Sequence, residues 1–91
     1  MSQMIANPEE MKKFAQQLKS FSAELHSQLR ITQGKMQTLG QTWRDQEHIK
    51  FSQNFTQSIK PLHSLITNME DYSRFLMRKA DAIKEYERLK R

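Results

Sequence analysis

Three histidines, His26, His48 and His63, together with scattered Ser, Asp and Glu, are the residues whose types could do chemistry in this 91-residue chain. A structural or catalytic metal would ask for histidines one helical turn apart, or for cysteines beside them. No two of the three are spaced i, i+4 and there is no cysteine, so no metal and no other cofactor is expected. Acid–base or nucleophilic catalysis needs a desolvated base next to an oriented nucleophile, and no arrangement of these residues provides one. Glycine-rich phosphate loops are absent, the only glycines being Gly34 and Gly40. The expectation is a nonenzymatic protein without a small-molecule substrate.

The elements that would position any functional residue are helices. Hydrophobic residues make up 36% of the chain, glycine and proline number two each, and helix-permissive Gln, Lys and Arg are plentiful. A chain this short buries a modest fraction of its surface, so one domain over residues 1–91 that leans on a partner is expected. Nothing approaches the ~20 apolar residues of a membrane span, and the N-terminus has neither a basic start nor an apolar run. The location expected is therefore secreted without a cleaved signal peptide, or cytoplasmic before export. The lack of cysteine is compatible with either side of a membrane.

Asn7-Pro8-Glu9-Glu10 signals a helix start, with Asn as cap, Pro at the first helical position and two acids in the first turn. Residues 1–6 then form a short arm. Met11, Leu18, Leu25, Thr32 and Leu39 recur every seven residues, and Phe14, Phe21, Leu29 and Met36 fill the adjacent column, predicting a first helix over about 8–39 that carries Gly34 inside it. Phe55, Leu62, Met69, Leu76 and Ile83 repeat the pattern in a second helix over about 45–90. It is flanked by Ile59, Ile66 and Ala80 on one side and by Phe51, Leu65, Tyr72 and Tyr86 on the other. The stripe keeps its phase across Pro61, which predicts a kink or local break in one bent helix rather than a reversal of the chain.

Between the helices, Leu39-Gly40-Gln41-Thr42-Trp43-Arg44-Asp45 reads as a tight corner over about 40–44. Gly40 suits the left-handed conformation that ends many helices, and Thr42 or Asp45 can cap the next one. Trp43 has two roles open to it, as a staple between the helices or as part of a turn surface that a partner reads. The fold class expected is all-α: an antiparallel helix-turn-helix hairpin. Positions 62, 65, 66 and 69 make the second stripe wider than one neighbour needs, so two hairpins are expected to dimerise into a four-helix bundle. Phe14, Leu18, Phe21, Leu25, Phe55, Leu62, Met69 and Leu76 are the candidate core and dimer residues.

The net charge is +5, and Arg74–Arg91 hold seven basic against three acidic residues. Folding about residues 40–44 places Pro8 opposite roughly residue 76, leaving about a dozen C-terminal residues as an amphipathic overhang with Ile83, Tyr86 and Arg88 as candidate recognition residues. Asp81 with Lys84, and Glu87 with Arg91, are spaced to pair along the helix. Acidic residues interrupt the tail and aromatics are sparse in it, so nucleic acid is not an expected partner. A regulatory hairpin whose basic tail meets an acidic partner is the alternative function.

With two long helices about a central tryptophan, the chain resembles the Trp-X-Gly family of small helical-hairpin proteins of type VII secretion. The family's motif position holds Trp43-Arg44-Asp45 here, with Gly40 before the tryptophan. Family members often carry Tyr-X-X-X-Asp/Glu as a C-terminal export signal, whereas Tyr72 is followed at that spacing by Leu76 and Tyr86 by Lys90. The resemblance implies a homodimer or a heterodimer with a related hairpin. It also implies a role as secreted substrate, or as adaptor for a larger effector, served by a secretion machine.

Overall fold

The structure, a computed structural model, describes residues 6–90. The short arm expected over residues 1–6 lies almost entirely outside the described residues, as does Arg91. Two helices, α1 (Pro8–Leu39) and α2 (Gln46–Lys90), pack antiparallel about a corner at residues 40–45, with no strand among the described residues. The all-α hairpin read from the sequence is what the chain adopts. It is a rod measuring 70 × 16 × 16 Å. The long axis is close to the length of a 45-residue helix, and the width is that of two helices at most.

Local chemistry sets the helix ends. Asn7 is extended (φ −99°, ψ 109°) and its side-chain oxygen accepts from the Glu9 and Glu10 amides at 2.9 and 3.2 Å. At the corner, the Asp45 carboxylate accepts the His48 amide at 3.0 Å and caps α2, whereas the Thr42 hydroxyl turns back to donate to the Leu39 carbonyl. Gly40 departs from expectation. It is right-handed (φ −63°, ψ −17°), and no described residue has positive φ. The chain turns instead through tightened bonds, Gln41 N–H to the Thr38 carbonyl and the Thr42 and Trp43 N–H groups to Leu39.

α2 runs unbroken through Pro61. Proline costs the Gln57 carbonyl its helical donor, but Pro61 sits on the exposed side of α2, where water can replace that donor.

The seam between the helices is not the column of large apolar residues. On α1 the buried line is Pro8, Ala15, Ser22 and Leu29, continued by half-buried Met36. On α2 it is Ile59, Ile66, Ser73 and Ala80, preceded by half-buried Ser52. Both lines keep a seven-residue period. The Ser73 hydroxyl donates to the Ala15 carbonyl at 2.7 Å, and Ser52 meets the Met36 sulfur at 4.0 Å. Facing residue numbers thus add to 88, which pairs Leu29 with Ile59 and Pro8 with Ala80. The register is four residues further along α2 than a fold about residues 40–44 predicts: facing pairs are centred on residue 44, two residues past the middle of that span.

Among the described residues Ala15 and Ala80 are fully buried, and no large side chain is. Small residues let the helix backbones come close at the open end, while Leu29, Ile59 and Ile66, backed by Leu25, Phe55 and Leu62, fill the middle.

Candidate interaction surfaces

The two flanks of the seam differ in chemistry. One is an open groove edged by charged and polar side chains, which joins Gln16, Lys19 and His26 of α1 to Glu70, Arg74 and Met77 of α2. The cross-helix ion pairs Lys12–Asp81 (2.9 Å) and Lys84–Glu9 belong to the same flank. The hydrogen-bonded Lys84 ammonium holds the Glu9 carboxyl below its ordinary range, and Asp81 raises the Lys12 ammonium above its own. Asp81 and Lys84 each reach across to α1 rather than to one another, which corrects the pairing expected along α2.

The opposite flank is apolar on both helices. Leu18, Leu25, Phe55, Leu62 and Leu76 are half-buried along its floor and Met69 is buried. Beyond them Phe14 and Phe21 on α1, and Phe51, Leu65 and Tyr72 on α2, are exposed, with Phe14 at 55% and Tyr72 at 57% of their full accessibility. Because antiparallel helices bring like flanks together, these side chains make one continuous face.

The corner closes one end of that face. The half-buried Trp43 ring packs edge-on to His48 (5.0 Å between centroids) and against Phe51 (5.8 Å), and Phe51 stacks on Phe55 (6.3 Å). His48, which the sequence reading left without a role, also meets the Ser52 hydroxyl at 3.2 Å. A Cβ on residue 40 would lie 3.0 Å from the His48 ring, so Gly40 makes room for the imidazole rather than for a left-handed turn. Asp45, Gly40 and Trp43 come together at the corner through His48.

At the other end, α1 reaches further than expected. Glu9 pairs with Lys84 and Ile83 is half-buried, so the overhang begins only beyond residue 84. Tyr86 and Leu89 are 64% and 70% exposed. Arg88 is held along the helix by Glu85, whose carboxyl it lowers. Lys90 lies 5.6 Å over the Tyr86 ring.

Among the described residues no group of three His, Cys, Asp or Glu side chains could hold a metal, and no helix is long and apolar enough to cross a membrane. No curated protein matches the chain. Among solved structures it is similar to the secreted protein EsxB of Bacillus anthracis str. Sterne. The wild-type crystal form in space group P21 shares 28% identity over 93% of this chain and 99% of that one, with a TM-score of 0.81. A selenomethionine-labelled crystal structure of the same protein matches over 96% of this chain and 99% of its own, again at 28% identity and a TM-score of 0.81. The sequence profile of WXG100, proteins of 100 residues with WXG, matches residues 3–88. With that match running through both helices and the tryptophan corner, the chain belongs to the WXG100 family.

Proposed function

We propose that this protein is a nonenzymatic component of a type VII secretion system. It works as a pair of hairpins in a four-helix bundle, either as a secreted substrate or as the adaptor of a larger effector. The observation that carries the reading is the single apolar face shared by α1 and α2, with Phe14, Phe21, Leu65 and Tyr72 exposed on it. A second hairpin, a copy of this chain or a related one, presents a matching stripe and covers both helices at once. Family membership and the likeness to a secreted protein support export. Trp43, with Gly40 and Asp45 shaping its corner, belongs to the surface that such assemblies present at one end.

Sedimentation velocity at tens of micromolar tests the assembly. The expected mass is that of two chains, falling to one in the double variant Phe14→Asp, Phe21→Asp while the helical circular dichroism remains, because two charges would have to enter an apolar seam. A monomeric parent that also fails to pair with a co-expressed related hairpin overturns the dimer, as does an undisturbed pair in the double variant. Export is tested in the producing cell: loss of the secretion ATPase should retain the protein inside, and undiminished release would refute the secretion role.

A further inference from the structure

A second stripe runs along the C-terminal third of α2 that neither the seam nor the floor of the apolar face uses. Tyr72, Phe75, Lys79, Ala82, Tyr86 and Leu89 are spaced three and four residues apart alternately, the spacing with which one helix receives another. At about 100° per residue the stripe lies roughly a quarter-turn round α2 from the Leu62–Met69–Leu76 line. All six are exposed, Phe75 at 56%.

The charges along the stripe have one sign left over. Asp71 and Glu85 border it on one side, and each is taken by the arginine three residues on, Arg74 and Arg88. Asp81 is held by Lys12. Among the described residues Arg78 on that border and Lys79 within the stripe have no ion-pair partner, and Lys90 on the other border meets only the Tyr86 ring. A lysine at a seam position needs a carboxylate across from it, or it is buried unpaired.

We infer that residues 72–89 of α2 are a docking seam for one amphipathic helix of another protein, whose apolar edge covers Phe75, Tyr86 and Leu89 and whose carboxylates answer Arg78, Lys79 and Lys90. The helix-in-groove mode supplies affinity from the aromatic anchors, and the cations reject basic helices. A second copy of this chain is a poor occupant, because it would bring its own Arg78 and Lys79 to the same strip. The seam adjoins the hairpin-pairing face at Tyr72 and lies round α2 from it at Phe75, Ala82 and Leu89, and it stands whether or not that pairing is homodimeric.

The test uses the full chain in its native oligomeric state and two labelled peptides of three heptads. Both have leucine at the two apolar positions of each heptad, one with glutamate on its flanks and the other with lysine. Fluorescence anisotropy should show the acidic peptide binding and the basic one failing, and amide shifts should cluster on residues 72–90. Lys79→Glu should weaken binding by about tenfold or more, as one like-charge contact replaces an attractive one. Phe75→Ser with Tyr86→Ser should abolish it without changing the mass of the parent assembly. Equal binding of both peptides, no binding of either, or shifts centred on Phe14 and Phe21 would overturn the inference. A drop in assembly mass in the serine variant would also overturn it, by showing that a second copy fills the strip.

Discussion

Replacing Ala15 by leucine should destabilise the hairpin, although hydropathy alone would score the change as an improvement to an apolar stripe. Ala15 has no accessible surface, and its carbonyl receives the Ser73 hydroxyl at 2.7 Å. A leucine adds three carbons at a fully buried site between the helices, and overpacking of this kind costs about 1–3 kcal/mol. Pushing α2 away also breaks the Ser73 hydrogen bond, which contributes about 1 kcal/mol, and leaves a buried hydroxyl to be rehydrated. The loss should total about 2–4 kcal/mol, or roughly 10–20 °C in melting temperature for a chain of this size. Urea unfolding followed by circular dichroism at 222 nm, at one fixed protein concentration because pairing couples to folding, reads the change as a lower midpoint. Thr32→Leu is the control: it sits in the sequence-visible column at an exposed site and should move stability by no more than about 0.5 kcal/mol. If Ala15→Leu equals or exceeds the parent in stability, the small-residue seam is not closely packed and the account of α1–α2 contact is wrong.

Gly34 is helical and a Cβ there meets nothing within 4 Å, so Gly34→Ala should stabilise by about 0.5–1 kcal/mol, measured in the same urea titration; a loss would mean an unseen neighbour at that site. Trp43→Ala should cost about 2 kcal/mol, below the value for a fully buried ring, because the indole is half-buried and loses its packing on His48 and Phe51. An unchanged melting temperature would assign Trp43 to recognition alone. The Glu9–Lys84 pair contributes where Glu9 is ionised. Since its folded pKa lies below the ordinary 4.5, that contribution is present above about pH 4.5 and disappears as pH falls through the depressed value. Lys12, raised above 10.5, contributes below that pH and ceases to as pH climbs through the raised value. The protection of amides at the start of α1, measured as exchange relative to the unfolded chain at the same pH, should therefore fall in acid, and Glu9→Gln should remove much of that acid dependence; pH-independent protection in the parent would refute it.

Large residues made the hairpin legible in the sequence and also misdirected the reading of its seam. Phe14, Leu18, Phe21 and Leu25 announce an amphipathic helix through their spacing, and they do lie on one side of α1. The small buried residues of the α1–α2 contact, Ala15 and Ser22 on α1 and Ser73 and Ala80 on α2, carry little or no hydropathy; a periodic reading reaches Ala80 only as a flank of the α2 stripe and passes over the other three. They could have been found by asking which seven-residue columns pass from large apolar residues near the corner, Leu29 and Ile59, to small ones toward the open end. The Asn7 cap, the Asp45 cap and the corner at Trp43 follow local chemistry and are readable from neighbours in sequence. The register is a tertiary quantity, set by how the two helix faces meet, and the sequence reading placed it four residues short. Gly40 was misread for a related reason: its small size answers His48, eight residues away, not its own backbone angle.

The corner also dictates the order in which this molecule assembles itself. Facing partners are eight residues apart at Gly40 and His48, 16 at Met36 and Ser52, and 58 at Ala15 and Ser73. Closing a long loop in one step is slow, but after the nearest pair has met, each further pair lengthens the closed segment by only a few residues. Folding should thus propagate as a zipper from the tryptophan outward, with the alanine and serine teeth near Pro8 engaging last and opening first.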